Sequence, residues 1–289
     1  MAVLVDKKTK VLVQGITGTQ ASFHIQRAIK YGTNVVAGVV PNKTEKQHLG
    51  VPLFGSVKEA KEKTGASASI VFVPAKFAKQ AILEAIDANM DVVVVITSGI
   101  PVADMMEIRQ KLSTSKTILI GPNTPGIITP KEAYMGIFPD NIHKEGCVGI
   151  VSRSSTLTYE IVLELNKIGY GQSTVVGLGD DFIIGTGFSE IIEKFNKDKK
   201  TKATVLVCGI DGNYEIELAN KFAKMKSKKP TIALVLHQPS NMIKDVNSAS
   251  EIICRDVADV SKKIEILKSS GIIVVESIND LKEELQKVC

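Results

Sequence analysis

Short apolar runs rich in Val and Ile alternate with amphipathic segments along the whole chain, and this alternation restricts the possible folds more than any other feature. Near-continuous apolar runs indicate strands that are covered on both faces, which is typical of parallel sheets. The intervening segments, such as Ala78–Asn89 and Ser155–Ile168, carry helical spacing. The sequence therefore predicts an α/β fold with doubly wound sheets. The apolar runs are 10–14, 34–40, 69–73, 92–96, 117–120, 148–151, 174–178, 204–207, 231–236 and 272–275.

The number of runs and the chain length together predict two domains. At ~150 residues per domain, the 289 residues suffice for two units, and the runs divide into two sheets of five strands each. The stretch 121–145 holds four prolines and little periodicity. We therefore predict a first domain at 1–123, a linker at 124–144 and a second domain at 145–289.

Composition excludes several classes of protein. The chain has 36 Lys and Arg against 31 Asp and Glu, a net charge of +5, which suits a binder of small anions better than a nucleic-acid protein. Aromatic residues are 5% and Trp is absent, so base stacking is poorly supplied. No apolar run approaches the ~20 residues of a membrane-spanning helix, and the N-terminus has no secretory pattern. We expect a cytoplasmic protein, or a processed chain of an organellar matrix, with neither nucleic acid nor membrane as partner.

The cysteines lack the spacing of metal ligands and read as reduced thiols, so we expect no metal site. They are Cys147, Cys208, Cys254 and Cys289.

A glycine turn follows the first predicted strand. Gly15-Ile-Thr-Gly18-Thr-Gln-Ala21 leads into an amphipathic segment at 22–31. Such glycines let the backbone approach a phosphate closely, and the helix that follows points its unpaired N–H groups at the anion. Side chains of Thr17, Thr19 and Gln20 could add donors. The alternative is an ordinary strand-to-helix turn, which the position in the first βα unit makes less favoured.

The residues at the end of the second predicted strand restrict the class of ligand. An NAD site has an Asp or Glu there that binds the ribose hydroxyls, whereas this chain has Val39-Val40-Pro41-Asn42-Lys43. A lysine without an acid indicates a ligand with a further phosphate, either NADP or coenzyme A. Two other loops, 96–101 and 121–126, also follow strands and should lie at the same edge of the sheet.

These motifs together resemble the α subunit of succinate–CoA ligase (succinyl-CoA synthetase) over essentially the whole chain. The resemblance is densest at 15–20, 31–33, 48–50, 96–101 and 121–123, and in Val148-Gly-Ile-Val-Ser-Arg-Ser154 with Thr156-Leu-Thr-Tyr-Glu160. It implies an N-terminal Rossmann-like CoA-binding domain and a C-terminal flavodoxin-like ligase domain. It also implies an ATP-grasp β subunit, in a heterodimer or heterotetramer, that binds ATP or GTP with Mg²⁺. The family joins succinate to CoA through a phosphorylated histidine of the α subunit.

The resemblance also assigns site residues. Tyr159 falls on a substrate-contacting position, and the helix start Ser154, Ser155 and Thr156 falls on the loop that cradles the phosphohistidine. The positions that contact CoA in the family are occupied here by Thr17, Gly18, Thr19, Gln20, Lys43, Ile96, Thr97 and Ser98.

This sequence departs from the family at the phosphorylated residue itself. Reading from His237 without gaps to the last strand puts Ser248 at the place of the histidine. Gly209 stands where the family has the Glu that orients the imidazole. A serine phosphate is a stable ester, and the local sequence offers no base to activate Ser248. We therefore predict that no catalytic residue remains at this position.

Smaller departures lie around the same chemistry. Ser155 replaces a glycine of the phosphate loop, and Asp180 replaces the second glycine of a Gly-Gly-Asp pattern, which adds a carboxylate that repels a phosphate. At the CoA end, Ser98 replaces a usual Glu and Thr124 a usual Cys.

Three interpretations follow. In the first, the chain is a non-catalytic or regulatory α-like subunit that binds CoA. In the second, it is an active ADP- or GDP-forming acyl-CoA ligase subunit with a displaced phosphoryl carrier, for which His237 is the candidate. In the third, it is an NADP-binding oxidoreductase, which the glycine turn and Lys43 allow but no hydride-transfer residues support.

Overall fold

The computed structural model describes residues 3–42, 45–209, 213–235 and 257–288. They form two seven-stranded sheets, each with helices packed on its faces. The predicted α/β class is confirmed, and every predicted run coincides with a strand.

The first sheet has the strand order β3-β4-β2-β1-β5-β6-β7. β1 lies between β2 and β5 and is parallel to both, so the chain winds outward in both directions from it, which is the Rossmann order apart from the short edge strand β3. Its strands are β1 Val11–Gln14, β2 Val35–Val39, β3 Gln47–His48, β4 Val51–Phe54, β5 Ala68–Val71, β6 Val92–Val95 and β7 Ile118–Ile120. Its helices are α1 Thr19–Tyr31, α2 Val57–Thr64, α3 Ala75–Asp87 and α4 Val102–Leu112.

The second sheet has the strand order β14-β13-β12-β10-β11-β8-β9. β10 is parallel to both β11 and β12, which gives the flavodoxin order 2-1-3-4-5 for the parallel part. Its strands are β8 Gly126–Thr129, β9 Ala133–Gly136, β10 Glu145–Ser152, β11 Gln172–Gly177, β12 Ala203–Val207, β13 Thr231–Leu234 and β14 Ile273–Val275. Its helices are α5 Ser155–Lys167, α6 Phe188–Lys197, α7 Tyr214–Lys224, α8 Val257–Ser269 and α9 Ile278–Val288, with a 3₁₀ turn at Asp140–Ile142.

The prediction of five strands per sheet is wrong. β3 and β4 extend the first sheet, while β8 and β9 extend the second from within the stretch 124–144 that was predicted to be a linker. β8 pairs antiparallel with β11 and with β9. The β8–β9 hairpin could not be predicted, because each of its strands has only four residues and the pair is bounded by Gly and Pro, which are typical of loops. The predicted domain limits remain a prediction.

The two halves of the chain contact each other where α1 and the residues after it meet β9 and the 3₁₀ turn. Thr33 Oγ1 donates to the Tyr134 carbonyl at 2.9 Å and accepts from the Tyr134 N–H at 2.9 Å. Arg27 of α1 forms an ion pair with Asp140. Residues of both halves contribute to one continuous buried apolar cluster. The carboxyl ends of the central strands are thereby held in a fixed relation.

Candidate functional site

The glycine turn after β1 brings the backbone close to the neighbouring strands. Gly15 has a φ of +79°, and its N–H donates to the Val39 carbonyl at 3.0 Å. A Cβ at Gly15 would lie 3.1 Å from Val73 Cγ1, so a side chain would both strain the backbone and crowd the strand beside it. The turn closes with the Gly18 N–H donating to the Gly15 carbonyl at 3.1 Å.

The amino terminus of α1 is open. Gly18 is its N-cap and supplies no side-chain acceptor, and the first turn contains no acidic residue. Side-chain caps occur at α2 (Ser56) and α5 (Ser154), whereas α3, α4, α6 and α7 also begin without one. Thr17, Gly18, Thr19 and Gln20 are all exposed. The first N–H groups of a helix have no partner within it, and together with the helix dipole they attract an anion. The site thus fits a phosphate group of a ligand.

The second predicted segment lies at the same edge of the first sheet. Ile96, Thr97 and Ser98 follow β6, which is separated from β1 by β5 alone. Thr97 Oγ1 donates to the Val73 carbonyl at 2.6 Å, so the loop after β6 is tied to the loop after β5. The structure brings 96–98 to the same edge as the turn 15–18, as ligand sites in such sheets require. Lys43 lies outside the described residues.

A second candidate surface forms at the carboxyl end of β10. Ser154 is the N-cap of α5 and accepts from the Leu157 N–H at 3.4 Å, while its own N–H donates to Ser152 Oγ at 3.0 Å. Ser155 is half-buried and Thr156 is exposed. Because β10 is the switch point of the flavodoxin order, this helix start faces the crevice where such folds bind ligands.

Gly209 follows β12, next to this helix start, and its backbone is held by a buried ion pair. Its N–H donates to Glu215 Oε1 at 3.0 Å. Glu215 Oε2 lies 3.3 Å from Lys263 Nζ, and the two side chains are 0% and 4% exposed. Burial raises the pKa of Glu215, and the Lys263 charge opposes that rise. This pair could not be predicted from the sequence, because each residue lies among other charged residues of an amphipathic helix.

Arg153 fills the space beside Gly209. It is 4% exposed, donates to the carbonyls of Gly179 at 3.4 Å and Asp181 at 3.0 Å, and its guanidinium lies 5.1 Å from the Tyr214 ring centroid. A Cβ at Gly209 would meet Arg153 Cδ at 3.6 Å, an ordinary contact distance. A larger side chain at position 209 would therefore begin beside a buried guanidinium without a clash.

Tyr159 lies on α5, further along the same helix. Its ring packs edge-on against Phe138 at 5.9 Å, and burial raises the pKa of its hydroxyl. Phe138 also packs edge-on against His143, with ring centroids 5.2 Å apart. Burial lowers the pKa of His143 to about 4, which favours the neutral imidazole, and its Nδ1 lies 3.0 Å from the Pro139 carbonyl oxygen. His237 and Ser248 lie outside the described residues.

No cluster of metal-ligating side chains occurs within the described ranges. Nor is any helix there long and apolar enough to cross a membrane.

Two family models match the chain. The one described as CoA binding domain matches residues 6–99, and the one described as CoA-ligase matches residues 151–288. The first range contains the open amino terminus of α1, and the second contains the start of α5 and Gly209.

Solved structures share the fold. An ATP citrate lyase mutant from Methanosaeta concilii in complex with (3S)-citryl-CoA superposes with a TM-score of 0.87 at 20% identity, over 99% of this chain and 50% of that chain. A dinucleotide-forming acetyl-coenzyme A synthetase 1 from Ca. Korarchaeum cryptofilum gives a TM-score of 0.76 at 19% identity, over 94% and 59%. This chain therefore spans 50% of the first chain and 59% of the second, and the likeness shows the fold alone.

Curated relatives match over nearly their whole length. The ADP-forming succinate–CoA ligase subunit alpha 2 of Archaeoglobus fulgidus is 49% identical over 271 residues, which are 94% of this chain and 94% of the relative. The corresponding α subunit of Staphylococcus epidermidis is 44% identical over 281 residues, 97% and 93%. These matches do not favour the oxidoreductase interpretation. The chain belongs to the succinate–CoA ligase α-subunit family.

Proposed function

We propose that this chain is an α-like subunit that binds CoA and does not carry the phosphohistidine step. The observation that carries the CoA part is the open amino terminus of α1, which is uncapped, free of acids and exposed. Thr17 to Gln20 would bind the phosphates through backbone N–H groups and hydroxyls, with Lys43 as a further cation. Ile96, Thr97 and Ser98 would contact the remainder of the molecule.

The loss of the phosphoryl step rests on the two replaced residues. Gly209 offers no carboxylate where the family orients its imidazole, and Ser248 stands at the imidazole's place. Among the residues that the structure describes, the carboxylate of Glu215 accepts from the Gly209 N–H, and it is also paired with Lys263. Turning this carboxylate toward a nucleophile would break both its bond to the Gly209 N–H and its ion pair with the buried Lys263, which is costly in a buried site.

The partner that fits a CoA-binding α-like subunit is an ATP-grasp β subunit. Any ATP or GTP with Mg²⁺ would be bound by that subunit, and Ser154, Ser155, Thr156 and Tyr159 would face the shared site. In such a complex the chain would serve as a CoA-binding regulatory or scaffold subunit.

The test is phosphoryl transfer on the complex purified from its source cells. The complex is incubated with labelled ATP and GTP, and acid-labile label on this chain is sought and mapped. The same β subunit with the α subunit of an active relative is the positive control. CoA and NADPH binding are measured by calorimetric titration on the same sample.

The expected result is CoA binding without label, while the control becomes labelled. Label at His237 would instead establish an active ligase with a displaced carrier. Preference for NADPH over CoA would reject the proposal altogether.

A further inference from the structure

The motif His48-Leu49-Gly50 forms the tight turn between β3 and β4, and none of its residues belongs to the predicted CoA positions. His48 and Val51 pair across the two strands, so Leu49 and Gly50 are the two turn residues. Their φ values are +52° and +75°, as a type I′ hairpin turn requires at both positions. A bulky residue adopts this conformation rarely, and Leu49 does so with its side chain packed against the core. The turn therefore holds His48 in a defined place at the edge of the first sheet.

The imidazole of His48 is connected to the glycine turn through the hydroxyl of Ser22. Ser22 Oγ donates to the Ile16 carbonyl at 3.0 Å and lies 2.7 Å from His48 Nε2. A hydroxyl has one proton and a carbonyl oxygen can only accept. The Ser22 proton therefore goes to Ile16, and His48 Nε2 is the donor to Ser22. The two bonds run in one direction, from the edge strand through α1 to the glycine turn.

This chain of bonds fixes the peptide unit between Ile16 and Thr17. The unit is trans, and in a trans peptide the C=O and N–H groups point to opposite sides. Because the Ile16 carbonyl is held by Ser22, the Thr17 N–H points away from the serine side chain. Thr17 is exposed, and within the described part of the chain its N–H has no backbone acceptor. The N–H is thus free to bind an anion beside the open amino terminus of α1.

Ser22 has a second acceptor within reach if the bond from His48 is removed. A serine in a helix can donate to the carbonyl four residues earlier, which for Ser22 is that of Gly18. The bond from His48 holds the serine oxygen in place, and hydrogen bonds in a chain polarise one another. His48 therefore favours the arrangement in which Ser22 donates to Ile16.

We propose that His48 is a positioning residue of the CoA site: acting through Ser22, it orients the peptide unit 16–17 so that the Thr17 N–H binds a phosphate of CoA. This inference rests on the proposed CoA binding. Its consequence is that CoA affinity depends on an imidazole of the edge strand that does not itself touch the ligand.

The alternative is a purely structural role, in which His48 only stabilises the contact between β3 and α1. Loss of the imidazole would then lower the melting temperature, while the CoA affinity of the folded chain would stay unchanged. In the positioning role, CoA affinity falls at temperatures where the variant is fully folded, and a side chain that donates from the same place restores it.

The test compares the full chain with four variants: His48→Leu, His48→Gln, Ser22→Ala, and His48→Leu combined with Ser22→Ala. CoA affinity is measured by calorimetric titration, and thermal unfolding is recorded for each. We expect His48→Leu and Ser22→Ala each to lose about tenfold in CoA affinity, on the order of one hydrogen bond to a charged group. The combined variant should lose no more than either single variant, because both substitutions break the same chain of bonds. His48→Gln should stay within about threefold of the unmodified chain, because its amide donates in place of Nε2.

Gln47→Leu is the matched control, since Gln47 is the exposed neighbour of His48 in β3, and it should keep the CoA affinity of the unmodified chain. Unchanged affinity in His48→Leu would overturn the positioning role and leave the proposed function standing. So would losses that multiply in the combined variant, or a loss in His48→Gln as large as that in His48→Leu. Failure of the unmodified chain to bind CoA would overturn the proposed function and, with it, this inference.

Discussion

A carboxylate placed at Gly18 tests the anion site of α1 most directly, because it should move stability and ligand binding in opposite directions. Gly18 has φ −64° and ψ 145°, which aspartate adopts freely at an N-cap. A Cβ there would lie 3.4 Å from the Gly15 carbonyl oxygen and 3.9 Å from Ala21 Cβ, so it fits. An aspartate cap satisfies an unpaired N–H and complements the helix dipole, which should raise the free energy of unfolding by ~0.5–1 kcal/mol.

The same carboxylate would occupy the place that we propose for a phosphate of CoA. Two like charges ~4 Å apart repel by about 4 kcal/mol at an effective dielectric constant of 20, and solvent exposure reduces this. We therefore expect Gly18→Asp to weaken CoA binding by about 30-fold, equivalent to ~2 kcal/mol. Calorimetric titration with CoA and thermal unfolding give both quantities. Gly18→Asn, which has the same shape without the charge, should cap the helix and lose less than about fivefold in affinity. Wild-type affinity in the aspartate variant, or a parallel loss of stability, would refute the assignment.

Three further predictions concern the second sheet and the core. The first variant, Lys263→Met, removes the positive charge that pairs with the buried Glu215 carboxylate. Burial already raises the pKa of that carboxyl group, so the contribution of Glu215 to the free energy of unfolding becomes less favourable as pH rises. In denaturant titrations, the free energy of unfolding of this variant should fall by ~3–5 kcal/mol at about pH 8 and by less near pH 5. The control Lys262→Met, at an exposed position, should change it by less than ~0.5 kcal/mol. Equal losses for Lys263→Met at both pH values would contradict this reasoning. The double variant Gly209→Glu with Ser248→His should acquire an acid-labile phosphate label from ATP in the presence of the β subunit. Labelling of either single variant would show that the two substitutions are not jointly required. Gly38→Ala places a Cβ 2.6 Å from two buried side-chain carbons, so thermal unfolding should reveal a loss of ~1–3 kcal/mol, and an unchanged melting temperature would show that the core yields there.

Much of the fold could be predicted because its strands are buried on both faces. Val92–Val95 is a run of four valines, and such a run carries its assignment without reference to neighbours. The strands that were not predicted from the sequence are those that form only by pairing with another strand. β8 holds only four residues, and the β11 backbone with which it pairs lies about 50 residues further along the chain. Hydrogen bonds of that range leave no local periodicity.

The anion turn was also predictable, because its glycines, its strand and its helix are consecutive in the chain. The residues that tie the sites together were not. In the sequence, Glu215 and Lys263 are indistinguishable from solvated helix charges. Their roles arise from contacts between segments that are distant in sequence.

The sequence by itself determined the class of fold and the position of the glycine turn after the first strand, and it predicts the replacement of the phosphorylated histidine and its glutamate. Each is written in adjacent residues, since periodicity, turn chemistry and residue identity are local properties. Only the tertiary structure decided that α1 begins directly after Gly18 and that a buried ion pair holds the backbone of Gly209. Burial and hydrogen-bond partners are set by which segments pack against each other, and the same side chain in solvent would carry none of these roles.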